Sequence, residues 1–298
     1  MKQKRFRLSS GMIHLVMILL CILCVMPFLL IVISSFTDET ALMMNGYTFF
    51  PKKLSTYAYR YILNGGGVKV IHGYMVSIGI TVIGTCLSIA LTVLFAYPLS
   101  RSDLPFRNVF AFFVFFTMLF NGGLVPSYMM WTKVFHIKNT FAALLLPSLL
   151  LNAFYIIMMR TYFSGTIPKE LLEAVKMDGG GEMVTLVKII LPLSKPMVAT
   201  LVFMIGLGYW NDWMNGLYYI TDSNYFSIQN ILNRMLSDVQ FLSSAAAAQS
   251  GVNVASSNLP TAGIRMSVAV LGILPILIAY PFFQKYLVKG IMIGGVKG

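Results

Sequence analysis

Long apolar runs without charge alternate along the chain with short stretches that hold its charged residues. Five windows contain no Asp, Glu, Lys or Arg, and they lie at 8–37, 70–100, 108–132, 139–159 and 266–284. Each window is near or above the roughly 20 residues that a helix needs to cross about 30 Å of hydrocarbon. The pattern therefore predicts five membrane-spanning helices.

A sixth span is predicted from a shorter apolar run. The uncharged residues 196–211 would rise only about 24 Å as a helix, so this span must extend to Leu193 at one end and beyond Asp212 at the other. We predict an all-α integral membrane protein that forms a single domain over residues 1–298. Its six transmembrane helices are predicted at 13–36, 71–98, 108–131, 140–162, 193–218 and 266–287.

The distribution of Lys and Arg predicts the orientation of these spans. Of the 22 basic residues, 14 fall in segments on the same side as the N-terminus, and the longer segments opposite hold the remaining 8. Because basic residues concentrate on the cytoplasmic side of membrane proteins, both termini are predicted to be cytoplasmic. The same bias places in the cytoplasm the charged residues 167–192, named the insert below.

Composition agrees with a membrane protein. The chain is 57% hydrophobic and only 11% charged, proportions that do not suit a soluble domain. Its net charge of +12 does not indicate a nucleic-acid-binding face, because the basic residues are scattered between apolar runs. Cys21, Cys24 and Cys86 lie inside such runs, so we expect them to pack as small apolar side chains.

Several classes of function are disfavoured by what the sequence lacks. It contains no Gly-Lys dipeptide and hence no P-loop, so the chain is not expected to be an ATP-hydrolysing enzyme. Spans without charge lack the usual carriers of a proton relay, which counts against an ion-coupled secondary carrier. His14, His72 and His136 are too dispersed for a metal site or a catalytic base. We expect neither a catalytic residue nor a metal site.

The insert predicts a short helix, a turn and a second helix. Pro168 suits the first turn of a helix, and Ile167, Leu171 and Val175 recur at four-residue spacing along one face. Three glycines follow Asp178, and the chain should turn there because each glycine costs a helix about 1 kcal/mol. From these residues alone, the helix pair either lies on the inner membrane surface or docks to a partner protein.

The insert also resembles the EAA loop of ABC importer permeases. The residues that match that motif, in their spacing, are Glu173-Ala174-Val175, Gly179, Ile189 and Leu191-Pro192. Val175 and Gly180 depart from the alanines common at those positions, but the spacing is intact. Because this gapped motif falls in the predicted cytoplasmic segment, it favours the docking interpretation.

The resemblance implies that residues 167–191 form the coupling helices, which sit in a groove of a separate ATPase subunit. The residues expected to carry this role are Glu173, Ala174, Asp178, Gly179, Ile189 and Pro192. Residues 120–150, 208–222 and 289–298 are similar to the carbohydrate-uptake branch, meaning the maltose-type second subunit and permeases for oligosaccharides released from polysaccharides. The resemblance also implies that residues 245–258 insert into the cleft of a sugar-binding protein, although their small polar residues fit a disordered linker equally well.

For the whole chain, the resemblance implies the type I ABC importer transmembrane fold in a bacterial inner (plasma) membrane. The expected partners are a second permease in a heterodimer, two ATPase subunits and an extracytoplasmic solute-binding protein. The ATPase subunits would bind ATP and Mg²⁺, so this chain would hold no cofactor while it moves oligosaccharides by alternating access. A permease for a non-sugar solute and a carrier that works alone are the alternatives.

A sugar path needs aromatic faces interleaved with amide and carboxylate groups. That chemistry gathers in residues 209–215, named the corner below, where we expect contacts from Tyr209, Trp210, Asn211, Asp212, Trp213 and Asn215. An interfacial aromatic belt would equally explain Trp210 and Trp213, whereas polar groups at this depth should face a cavity or another helix. Asn121 and Asn152 are further path candidates, with hydrogen bonding between helices as the alternative.

Overall fold

The computed structural model of the protein describes residues 2–242 and 261–295, and these are mostly helical. The segment 245–258, expected to meet a binding protein, lies outside them. Within the described residues the one extended pairing is an antiparallel bridge between Thr37 and Leu54. The helices are α1 (Lys2–Ser35), α2 (Glu39–Asn45), α3 (Tyr57–Ser100), α4 (Arg107–Leu119), α5 (Leu124–Met129), α6 (Ala142–Leu145), α7 (Ala153–Thr166), α8 (Lys169–Met177), α9 (Glu182–Thr185), α10 (Leu191–Leu193), α11 (Lys195–Trp210), α12 (Met214–Tyr219), α13 (Ile228–Leu242) and α14 (Thr261–Gly295).

Three of these helices are long and apolar enough to cross a membrane by themselves, over Gly11–Ser35, Val70–Ser100 and Ala262–Leu287. Two further candidates are bent pairs of helices. One joins Arg107–Leu119 to Leu124–Val134 at 108°, and the other joins Glu182–Leu193 to Lys195–Tyr219 at 83°. The described residues therefore hold three candidate spans, or five if each bent pair crosses once. This confirms a helical membrane architecture, whereas the count of six stays a prediction.

The region predicted as the fourth span is interrupted in the structure. Helix α6 ends at Leu145 and α7 begins at Ala153, with Pro147 between them. A proline lacks the N–H that a continuing helix needs. The side chain of Asn152 then accepts a hydrogen bond of 2.9 Å from the backbone N–H of Phe154, which caps the start of α7. The region predicted as one helix therefore forms two helices, and Asn152 caps the second of them.

The described residues pack as two compact units, the first formed by residues 1–70 and 232–275. In this unit Glu39 of α2 reaches the start of α14. Its two carboxylate oxygens accept hydrogen bonds from the backbone N–H groups of Ala262 and Gly263, at 2.9 and 2.8 Å. The first N–H groups of a helix lack partners within it and favour negative charge. Glu39 therefore caps α14 from a distant part of the chain.

The second unit, formed by residues 71–231 and 276–298, holds a hydrophobic core between α3, α6, α7 and α11. Helices α3 and α11 approach closely at Gly84, where an added Cβ would lie 2.5 Å from the ring of Tyr209. A glycine is therefore required there for the two helices to meet. The deepest side chains of this core include Ala96, Leu144, Met159, Ile190, Leu201 and Ile220.

Candidate functional site

The insert has a helix, a turn and a second helix, as its pattern predicts, but the first helix begins at Lys169. Ile167 and Pro168, predicted to belong to it, are extended and precede it. Helix α8 ends at Met177, and α9 continues through one π-helical turn, Leu186–Ile190, into α10. In the turn between α8 and α9, Gly179 has a φ of 75°, which lies in the left-handed region that favours glycine. The next N–H, of Gly180, donates a hydrogen bond of 2.9 Å to the carbonyl of Val175.

The two departures from the EAA pattern, Val175 and Gly180, compensate each other. A Cβ at Gly180 would lie 2.6 Å from the Cγ1 atom of Val175, and an alanine at position 175 would not have that atom. The larger side chain at 175 therefore occupies the space that an alanine at 180 would need.

Most of the motif residues are accessible on the surface of the second unit. Glu173, Ala174, Asp178, Gly179 and Pro192 are exposed, and Ile189 is half-buried. Ile167, which caps the end of α7, is buried, and both Leu171 and Leu172 of α8 pack against the core. Helix α8 thus packs internally through Leu171 and Leu172 and leaves Glu173 and Ala174 accessible.

Two exposed methionines flank the glycine turn, and the sequence analysis did not identify them. Met177 is 87% exposed and Met183 is 62% exposed. Methionine is flexible and polarisable, and it is frequent at adaptable binding surfaces. The signal available in the sequence was two apolar residues beside the glycines of an otherwise polar turn.

A cluster of polar residues fastens the insert to the end of α3, and this cluster was also missed. The carboxylate of Glu182, the first residue of α9, accepts a hydrogen bond from the hydroxyl of Tyr97 and lies 3.5 Å from the guanidinium of Arg101. Asp103 binds the same guanidinium through two hydrogen bonds of 3.0 and 2.9 Å. We name Tyr97, Arg101, Asp103 and Glu182 the Arg101 cluster.

Charge pairing in this cluster stabilises both ionised groups. The hydrogen bonds with Asp103 raise the pKa of Arg101, and Arg101 in turn holds the pKa of the Asp103 carboxyl below its usual value. A cleft of about 500 Å³ opens beside the cluster, between α8 and the end of α3. Its lining combines charged groups with an apolar floor and includes Arg101, Asp103, Arg107, Glu173, Lys176, Phe163, Ile167, Leu172 and Ile190.

The corner differs from the insert because several of its predicted path residues are buried. The hydroxyl of Tyr209 donates a hydrogen bond of 3.0 Å to the carbonyl of Leu145. The side chain of Asn215 donates one of 3.0 Å to the carbonyl of Pro147. Leu145 is the last residue of α6 and Pro147 lies in the interruption that follows, where backbone carbonyls need hydrogen-bond donors. Trp210, also buried, stacks on Tyr74 with ring centroids 6.2 Å apart.

The remaining path candidates are more accessible. Asn211 is exposed and Trp213 is 40% exposed. Asp212 is half-buried and accepts a hydrogen bond of 3.2 Å from the backbone N–H of Asn215. Asn121 is exposed and accepts one of 2.8 Å from the N–H of Gly123 in its own turn.

The chain is similar in sequence to two proteins of Bacillus subtilis. The chain is 37% identical over 276 residues to Protein LplC of Bacillus subtilis (strain 168), a match that covers 92% of this chain and 90% of that protein. It is 35% identical over 293 residues to the polygalacturonan/rhamnogalacturonan transport system permease protein YtcP of the same strain, with 98% and 99% covered.

The fold is similar to a chain in the crystal structure of a bacterial ABC transporter involved in the import of the acidic polysaccharide alginate. The TM-score is 0.78 at 26% sequence identity, over 94% of this chain and 97% of that chain. Residues 89–293, more than half of the chain, match the model of one family and contain the whole insert and the whole corner. The chain therefore belongs to the family of binding-protein-dependent transport system inner membrane components.

Proposed function

We propose that the chain is the permease subunit of an ATP-driven, binding-protein-dependent ABC importer of oligosaccharides. The observation that carries the proposal is the insert, where most of the EAA-type residues are exposed while Leu171 and Leu172 anchor α8 to the core. A helix lying on a membrane would need that apolar face for lipid. The names of YtcP and of the alginate transporter, both concerned with carbohydrate polymers, support the choice of substrate.

The proposed assembly pairs this chain with a second permease, two ATPase subunits and an extracytoplasmic solute-binding protein. The ATPase subunits would bind ATP and Mg²⁺, and this chain would hold no cofactor. The whole chain would act as one transmembrane domain of six spans, with both termini and the insert in the cytoplasm. Its charge distribution supports that orientation because basic residues favour the cytoplasmic side.

Transport would proceed by alternating access. The coupling residues of the insert would sit in a groove of one ATPase subunit, so that closure of the ATPase pair displaces the insert. A ligand shifts a conformational equilibrium only through its different affinity for the two states. ATP and the loaded binding protein must therefore both favour the outward-facing state. Glu173, Ala174 and Asp178, which are exposed, would make the contacts.

The corner would form part of the sugar path with a division of roles. Asn211, Trp213 and Asn121 are accessible, and we assign them contacts with the sugar. Tyr209, Trp210 and Asn215 would hold those groups in position from inside, and Asp212 would orient Asn215. Asn152 would act through the start of α7, which it caps.

The central test is import by the complete complex in proteoliposomes, measured as oligosaccharide uptake and ATP hydrolysis. Glu173→Lys should abolish ATPase association and uptake, because it reverses a charge on the motif face. Glu170→Lys makes the same change one turn earlier on α8 and serves as the control. Undiminished uptake by Glu173→Lys, or uptake without any ATPase subunit, would overturn the proposal in favour of a carrier that works alone.

The substrate path has its own test in the same vesicles. Trp213→Ala and Asn211→Ala should reduce the stimulation of ATP hydrolysis by the sugar-loaded binding protein, while assembly stays intact. An unchanged response would mean that Trp213 belongs to an interfacial aromatic belt and does not contact the sugar. A complex that transports a non-sugar solute but no oligosaccharide would exclude the sugar assignment while leaving the coupling role in place.

A further inference from the structure

The Arg101 cluster connects two segments that lie far apart in the sequence. Tyr97 belongs to the last turn of α3, and Arg101 directly follows the last residue of that helix. Glu182 begins α9, directly after the glycine turn of the insert. Tyr97 and Arg101 both contact the Glu182 carboxylate, so the insert is held by charge and hydrogen bonding as well as by chain connectivity.

The α3 side of this connection is rigidly placed. The side chain of Arg101 is only 15% exposed, and Asp103 holds two of its nitrogens. A guanidinium that is bonded through two nitrogens to one carboxylate is restricted in its orientation. Tyr97 is buried, with 7% of its surface exposed. The carboxylate of Glu182 is 64% exposed, so it can move with the insert while its two partners stay fixed to α3.

Helix α7 strengthens the same junction. Arg160 donates a hydrogen bond of 3.0 Å from Nε to the carbonyl of Leu99. Ser164 donates one of 3.3 Å from Oγ to the carbonyl of Ser100. The last carbonyls of a helix have no partners within it, so these bonds from α7 satisfy them. The end of α3 is therefore bonded to α7 as well as to Glu182 of the insert.

Helix α3 leads from this junction to α11 and the corner. At Gly84 the two backbones approach closely enough that only glycine fits against the ring of Tyr209. One residue further, the hydroxyl oxygen of Thr85 lies 3.5 Å from the position of a Cβ built on Gly206. Closely packed helices transmit a displacement because their interiors leave little free volume. A movement of α3 therefore reaches the segment that carries Tyr209.

We propose that Tyr97, Arg101 and Glu182 form a latch that transmits displacement of the insert to α3 and, through Gly84 and Tyr209, to the corner. They are positioning residues, since none of them would touch the sugar or the nucleotide. The proposal rests on the importer function proposed above, and it adds a route that the EAA-type motif does not contain. When a latch residue is replaced, we expect ATP hydrolysis to continue while less oligosaccharide is imported for each ATP hydrolysed.

The test uses the complete complex in proteoliposomes, and its readout is the amount of oligosaccharide imported per ATP hydrolysed. Glu182→Gln, Arg101→Gln and the double variant form a cycle. We expect each single change to lower that ratio about fivefold or more, the low end of typical coupling between sites. The double variant should be no worse than either single change, because groups that act together are not additive. Glu182→Asp keeps the carboxylate and should recover part of the ratio.

Glu170→Gln is the matched control, since it makes the same change from carboxylate to amide at an exposed residue of α8 in the insert and leaves Tyr97, Arg101 and Glu182 in place. Its transport ratio should equal that of the wild type. The latch is refuted if Glu182→Gln keeps the wild-type ratio, or if the two single effects add. It is also refuted if Glu182→Gln releases the ATPase subunit, because Glu182 would then belong to the docking surface.

Folding and function are separated by two further measurements. Glu182→Gln is nearly isosteric and mostly exposed, so its thermal unfolding midpoint should match the wild type and its result stands even if Arg101→Gln does not fold. If the wild-type complex itself imports no oligosaccharide, the proposed function fails. If the wild type imports normally and the variants do too, only the latch fails.

Discussion

The insert and the corner are both irregular junctions between helices, but the side chains predicted to be functional differ in exposure. In the insert, five of the six predicted coupling residues are exposed. In the corner, Tyr209, Trp210 and Asn215 are buried against groups of the same unit. The difference teaches that the exposed residues of the insert are available to a partner, as proposed above, whereas the buried residues of the corner support the fold. Mutations should therefore affect assembly at the insert and folding at the corner.

The largest expected effect is at the buried side of the corner. Tyr209→Ala should lower the free energy of unfolding by about 3–5 kcal/mol, as is usual when a buried aromatic is truncated. Thermal unfolding of the purified protein measures the change. Trp213→Ala, which truncates an exposed aromatic of the same corner, should leave the midpoint nearly unchanged. If both variants lowered the unfolding midpoint equally, the distinction between buried and exposed residues of the corner would be wrong.

A smaller effect is expected at the turn of the insert. Gly180→Ala should destabilise the turn by about 1–3 kcal/mol because the new methyl group would collide with Val175. Faster hydrogen exchange at the Gly180 amide, which is bonded to the Val175 carbonyl, would report the change. Combining it with Val175→Ala should restore part of the protection, since the nearest colliding atom is then gone while the carbonyl oxygen of residue 175, 3.0 Å from the added Cβ, remains. Without restoration, the two departures from the EAA pattern would be independent.

The two sides of α8 should respond differently to a new charge. Met177→Asp should weaken ATPase binding by about 1–2 kcal/mol, a typical cost at an interface residue, and leave unfolding unchanged. Leu172→Asp should lower the unfolding midpoint instead, because Leu172 packs against the core. Binding of the ATPase subunit and thermal unfolding, measured on both variants, test this. A loss of stability in Met177→Asp would contradict the exposure of the turn.

The smallest effect is the pH dependence of the Arg101–Asp103 pair. Since the pair lowers the pKa of Asp103 in the folded state, its stabilisation is present above the ordinary carboxyl pKa of about 4. It is lost as the pH falls through the lowered folded-state pKa. The side chain of Asp103 is 58% exposed, so solvent limits the effect. The difference in unfolding midpoint between wild type and Asp103→Asn should vanish on acidification.

The sequence by itself determined the membrane architecture and the insert. Apolar runs predict helices through their length, and three of them are single long helices in the structure. The pattern of Ile167, Leu171 and Val175 with the following glycines predicts a helix and a turn, because these features act within a few residues of one another. Family membership follows from the same local order of residues.

Tertiary structure alone decided which polar residues face inward. The burial of Asn215 and Tyr209 depends on the carbonyls of Pro147 and Leu145, more than sixty residues away in the chain. The Arg101 cluster likewise joins residues 85 positions apart, through the bond from Tyr97 to Glu182. Hydrophobic periodicity reports which face of a helix is apolar, but a partner for a hydrogen bond exists only once distant segments have packed. For that reason the spans were visible in the sequence, and the contacts that position the corner and the insert were not.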